Sequence, residues 1–122
     1  MNINNLTIKA QEVLQSAMNL ARSDRNQAVE PLHMLDAIVA EDDSVGVFLL
    51  QKLGVNVGAL RSVLRQQVER LPKVEGGEVY FSRESSEAIQ KAGDFTKTFG
   101  DKYASVEHLL LALVAERGAA AD

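Results

Sequence analysis

The chain has two histidines, and each stands at the head of an apolar run. His108 follows Glu107 in SVEHLLLALVAE (105–116), and His33 follows Leu32 in EPLHMLDAIVAE (30–41). A Glu-His pair is the combination used for general acid–base transfer, and a histidine beside a serine can activate a nucleophile. Neither reading gains support from the surrounding residues. No serine sits in a nucleophile-elbow setting, and two histidines that occupy equivalent places in a repeat are poor members of a catalytic triad. Zinc would need further ligands at helical spacing, but His33 is followed by MLDA, His108 by LLLA, and cysteine is absent. A phosphate-binding loop is also missing, since Gly76-Gly77 runs into EVYF instead of a lysine and a hydroxyl residue. The chain is therefore not expected to be an enzyme, to bind ATP or to hold a metal. The histidines are expected to play a structural part, bonding a backbone carbonyl or a neighbouring helix end, while Glu107 stays a candidate contact residue.

The equivalence of the histidines belongs to a duplication. Sliding the sequence by 75 places lays 6–41 over 81–116 without a gap, and nine of the 36 positions are identical. His33 meets His108, Leu35 meets Leu110, Ala37 meets Ala112, and Val39-Ala40-Glu41 meets Val114-Ala115-Glu116. One supersecondary unit has been used twice.

Each unit reads as helical. Val13, Leu14, Ala17, Leu20 and Ala21 recur at three and four, the stripe of an amphipathic helix, and Ala88, Ile89, Ala92, Phe95 and Phe99 form the counterpart stripe. Ser82 is placed to cap the second of these helices, Glu84 to favour its amino end, and Gly100 to stop it. Pro31 suits a first helical turn, with Ser105 as the matching cap in the second copy. The helices that follow are expected to span about eleven residues and, being apolar nearly all round, to lie in the middle of a bundle. The first copy continues with SVGVFLLQKLG, closed by Gly54, and with a helix capped by Asn56 and stopped by Pro72. These features predict an all-α domain, a pseudo-twofold double repeat of a four-helix unit, with repeat 1 over 6–71, a connector over 72–81 and a partial repeat 2 over 82–122. Val79, Tyr80 and Phe81 are expected to tie the connector down, with Tyr80 exposed enough to be a contact residue. The second copy runs about 24 residues short of the first one's pattern, so a piece of a longer protein is expected.

With 122 residues, 46% of them hydrophobic, a single core can form without disulfides or metal. The net charge of −4 disfavours nucleic acid, and Arg61, Arg65, Arg70 and Lys73, interleaved with Glu69 and Glu75, read as a solvated helix face. No segment looks like a signal peptide or membrane span, and a cytoplasmic protein is expected. A pseudo-twofold bundle has a seam between its copies, and such seams are common places for a groove that takes an apolar segment.

The stretches LTIKAQEVLQSAMNLA, EPLHMLDAIVAE, LPKVEGGEVYFSRES and GDKYASVEHLLLALVAERG resemble the amino-terminal domain of the Clp family of AAA+ unfoldases, and among its branches that of the ClpB-type disaggregases. The resemblance runs from Leu6 to Asp122. It implies a helical double-repeat domain tethered to ATPase modules, which would hold the ATP and Mg of a homohexamer, while the isolated domain has no cofactor and is a monomer. In that family the domain recruits unfolded or aggregated polypeptide, and in relatives it docks adaptor proteins. Residues linked to substrate handling carry over to Thr7, Asp101 and Glu107. The paired glutamates that in one branch precede both histidines and read phosphorylated arginine are here Leu32 and Glu107, which leaves at most the second half. His108 stands where some disaggregases carry a groove leucine.

Overall fold

The computed structural model describes residues 5–115. Six helices account for most of them: α1 (Ile8–Ser23), α2 (Pro31–Ile38), α3 (Val45–Lys52), α4 (Val57–Glu69), α5 (Arg83–Phe99) and α6 (Val106–Ala115), with two-residue strands β1 (Ala28–Val29) and β2 (Tyr80–Phe81). The domain is all-α but for this minimal strand pair. The caps form where side-chain chemistry places them. Thr7 Oγ1 accepts from the Ala10 amide at 3.1 Å, Asn56 Oδ1 from Ala59 at 3.0 Å and Ser82 Oγ from Ser85 at 3.1 Å, each satisfying an amide that the helix leaves unpaired. At the other end of α5, Gly100 takes a left-handed conformation (φ 73°), which costs glycine little and returns its amide to the last helical carbonyls.

α2 and α6 form the centre, as their all-round apolar sequences require: Leu32, His33, Met34, Leu35 and Ile38 are buried in one, His108, Leu109, Leu110, Ala112 and Leu113 in the other. α1 packs on α2 and α5 on α6 through small residues, Ala10, Ala17 and Ala21 on one side and Ala88 and Ala92 on the other. The copies are joined through their entry segments. Ala28 and Val29 pair in parallel with Tyr80 and Phe81, and Leu6 bridges Ala104 in the same sense. Under the repeat, Leu6 corresponds to Phe81 and Val29 to Ala104, so each copy lends its entry segment to the other. The amide of Thr7 donates to Ala104 O at 2.8 Å and its counterpart Ser82 donates to Val29 O at 3.0 Å.

Several sequence expectations are corrected. α2 spans eight residues, not about eleven, because its last carbonyls are taken from outside: Ile38 O accepts from Ser44 Oγ at 3.0 Å and Val39 O from Arg61 Nε at 2.8 Å. The arginines of α4 are more than a solvated face. Arg61 also pairs with Asp42 at 2.9 Å, and Arg65 reaches Asp24 at 2.9 Å and Asp36 at 3.0 Å, strapping α4 across α1 and α2. Phe99, read as part of the buried stripe, is 58% exposed: it stands on the last turn of α5 with its ring beside Phe95 and His108 and its outer side uncovered. The connector is tied down chiefly by its backbone: Val74 N donates to Arg25 O and Tyr80 N to Gln27 O, while Val79 and Phe81 pack partly against the core. The final residues of the partial second repeat, from Glu116, lie outside the described residues.

Candidate functional site: a groove at the seam between the copies

The histidines come first, because they set the ends of the central helices. His33 Nδ1 accepts from the Glu30 amide at 2.9 Å, and His108 Nδ1 accepts from the Ser105 amide at the same distance. Each ring therefore reaches back three residues to cap the amino end of its own helix, where the expectation was a backbone carbonyl or a neighbouring helix end. An Nδ1 that accepts fixes the neutral tautomer with the proton on Nε2. That proton is donated to Asn26 Oδ1 at 2.9 Å in the first copy and to Asp101 Oδ2 at 2.9 Å in the second. Asn26 and Asp101 are repeat equivalents. Ser105 Oγ lies 2.8 Å from His108 Nδ1, so it joins the ring instead of capping a backbone amide. Burial lowers the pKa of His33 to about 4, with Asp24 opposing the shift and Arg65 and Lys73 adding to it. Ser105 Oγ, His108 and Asp101 thus form one hydrogen-bonded line, but the Nδ1 lone pair that the hydroxyl faces is already shared with the Ser105 amide, so this ring, like that of His33, is engaged as a helix cap.

Beside this framework lies a groove of about 610 Å³, within the usual range for ligand sites. One wall is the start of α1, with Thr7, Lys9, Glu12 and Val13. A second is the end of α2 and the turn into α3, with Ala37, Ile38, Glu41, Asp43, Ser44 and Val45, and the third is Ser105, Val106 and Glu107 at the start of α6. Both copies thus contribute to it. Its floor is apolar (Val13, Ile38, Val45, Val106) and its rim is mainly carboxylates. The amino ends of α1, α3 and α6 all open onto it, so first-turn amides with no partner inside their helices face the same space.

The four candidate residues separate. Thr7 and Glu107 line this groove from opposite copies, although Thr7 Oγ1 is also engaged as the α1 cap. Asp101 does not line it. It orients His108, whose ring lies 6.1 Å from that of the exposed Phe99. Tyr80 stands on β2, 56% exposed and paired through its backbone with Ala28, and it too is outside the groove. Glu12, Glu41 and Asp43 were missed by sequence reasoning. The acid run Glu41-Asp42-Asp43, directly after a central helix, was the available signal. Among the described residues no cluster of three metal-ligating side chains occurs, and no single helix is long and apolar enough to cross a membrane.

Fold and site together define a helical double-repeat module whose distinguishing feature is a groove between its copies. Residues 5–122 match the family model of the Clp repeat N-terminal domain, and the chain belongs to that family. It is 49% identical over 114 residues to the chaperone protein ClpB of Bacteroides thetaiotaomicron, covering 93% of this chain. The match spans only 13% of that relative's length. Among solved structures, the Hsp104 N-terminal domain from Candida albicans superposes with a TM-score of 0.84 at 22% identity, over 93% of this chain and 75% of that one. A ClpV N-domain determined in complex with a VipB peptide gives 0.77 at 19% identity, over 93% and 70%. The chain is thus a Clp repeat N-terminal domain, similar over nearly its whole length to the corresponding part of ClpB chaperones.

Proposed function

We propose that this domain recruits unfolded or aggregated polypeptide for an ATP-dependent disaggregase and performs no catalysis itself. The carrying observation is the seam groove, in which Thr7 and Glu107, brought from opposite copies, line one partly apolar space beside the amino ends of α1, α3 and α6. An extended chain needs these two things, apolar contact for its side chains and hydrogen-bond partners for its backbone. The ClpB relative supports the chaperone setting, and the peptide held by the ClpV N-domain supports a peptide ligand. In this reading the longer protein is a cytoplasmic homohexamer whose ATPase modules carry ATP and Mg, and the isolated domain is a monomer without cofactor.

Titration of the ¹⁵N-labelled chain with an unfolded model protein is expected to shift the amides of Thr7, Val45 and Glu107 in fast exchange, because ordering a flexible ligand offsets much of the contact energy. No shift around the groove overturns the proposal. Docking of a folded adaptor is the second reading, favoured by the exposed Phe99 and Tyr103, which lie outside the groove. Pull-down with folded adaptors against unfolded substrates, using Phe99→Ser, separates the two: only adaptor capture should fall.

A further inference from the structure

We propose that the seam groove selects polypeptide segments in which an apolar residue is flanked by lysine or arginine. This rests on the recruiting function above and specifies its ligand.

The argument starts from how the chain spends its cations. Of the acids around α2 that lie away from the groove, Asp24 and Asp36 share Arg65 and Asp42 pairs with Arg61, while Glu30 has no ion pair among the described residues. On the groove, Glu41, Asp43 and Glu107 form no ion pair among the described residues, and Glu12 has only Lys9, at 3.6 Å between largely exposed side chains. Arg61 therefore takes Asp42 and leaves its two sequence neighbours to face the groove. Among the described lining residues Lys9 is the one basic side chain against four carboxylates, so the described rim carries an excess of three negative charges.

Carboxylates that converge without counter-charges repel one another, and apolar walls sharpen their field, so a cation entering between them is favoured. The three helix ends temper the field without reversing it, since each contributes only about half a positive charge. Their amides also hydrogen-bond carbonyls, so an extended backbone is served as well as its cationic side chain. The floor of Val13, Ile38, Val45 and Val106 takes the apolar residue. A lysine or arginine can lay its methylene stem on such a floor while its head meets the rim.

The test compares short capped peptides that share a Leu-Val-Phe centre and differ only in flanking lysines, serines or glutamates, titrated into the ¹⁵N-labelled 122-residue chain at low and high salt. The lysine peptide is expected to bind about tenfold more tightly than the serine peptide at low salt, with the margin shrinking as salt rises. The variant Glu41→Gln/Asp43→Asn/Glu107→Gln changes only exposed side chains. Within this variant the lysine peptide should bind no more tightly than the serine peptide. Glu69→Gln/Glu75→Gln/Glu78→Gln, which removes the same charge elsewhere, should retain the preference. Equal binding of all three peptides at the groove overturns the selectivity and leaves recruitment standing, as does tighter binding of the glutamate peptide. Loss of the preference in the second variant also overturns it, because net charge and not the groove would then be the cause. No peptide shifting any groove amide overturns recruitment as well.

Discussion

His33 and His108 do the same mechanical work with different chemistry behind them. Both rings accept a backbone amide at Nδ1, so protonation there would replace a helix cap with two donors facing each other. For His33 the consequence is a pH-dependent stability. Its folded pKa of about 4 lies below the unfolded value of 6.5, so between these limits the unfolded chain binds the extra proton. The stabilisation is thus whole above about pH 6.5 and is lost as pH falls towards 4, about 3 kcal/mol at most. Urea unfolding across that window should show the fall, and His33→Gln, less stable at neutral pH, should flatten it. In the second copy Asp101→Asn recreates the first copy's own pair, since Asn26 already accepts from a histidine Nε2. It is expected to cost about 1 kcal/mol or less, the difference between a charge-assisted and a neutral hydrogen bond. Because Asp101 does not line the groove, the same variant should leave peptide affinity unchanged, whereas Glu107→Gln should weaken the lysine peptide; titration of both variants decides it.

At the level of elements, the starts of helices were easier to read than their ends. Thr7, Asn56 and Ser82 announce α1, α4 and α5 by side-chain chemistry that acts within three residues. The end of α2 depends on Ser44 and on Arg61, 22 residues beyond Val39, and nothing in the sequence around Ile38 signals it. The turn so made brings α3 hard against α2. A Cβ built on Gly46 would lie 2.2 Å from Ile38 Cγ2 and 3.1 Å from Ile38 O. Ile38 is a stiff β-branched residue in the core and cannot step aside, so Gly46→Ala should destabilise the domain by about 1–3 kcal/mol, read as a lowered melting temperature. Ser82→Ala should cost about 1–2 kcal/mol: it removes the α5 cap and a partner of buried Ser85, whose hydroxyl donates to Val29 O at 2.6 Å.

In the whole molecule, the two copies are alike in pattern and unequal in surroundings. Val39 is fully buried beneath the strap from α4, whereas its counterpart Val114 is 58% exposed. The copies are nevertheless interlocked, because Leu6 pairs with Ala104 and Phe81 with Val29, so neither repeat can detach without breaking the other's entry. Unfolding is therefore expected to be a single transition, with the Thr7 and Ser82 amides exchanging hydrogen at one shared free energy; separate values would mean that the repeats open independently. The duplication, the helical class, the caps at Asn56 and Ser82 and the central position of the two apolar helices were determined by the sequence alone, since periodicity and capping act over a few residues; the Ser105 cap was not, because that hydroxyl turns to His108. Thr7 and Glu107 could be nominated by resemblance. Their meeting over one floor, the exclusion of Asp101 and Tyr80 from it, and the gathering of Glu12, Glu41 and Asp43 at its rim were decided only by the tertiary structure. These depend on contacts between segments up to a hundred residues apart, where strand exchange and arginine straps choose among arrangements that local propensity leaves equal.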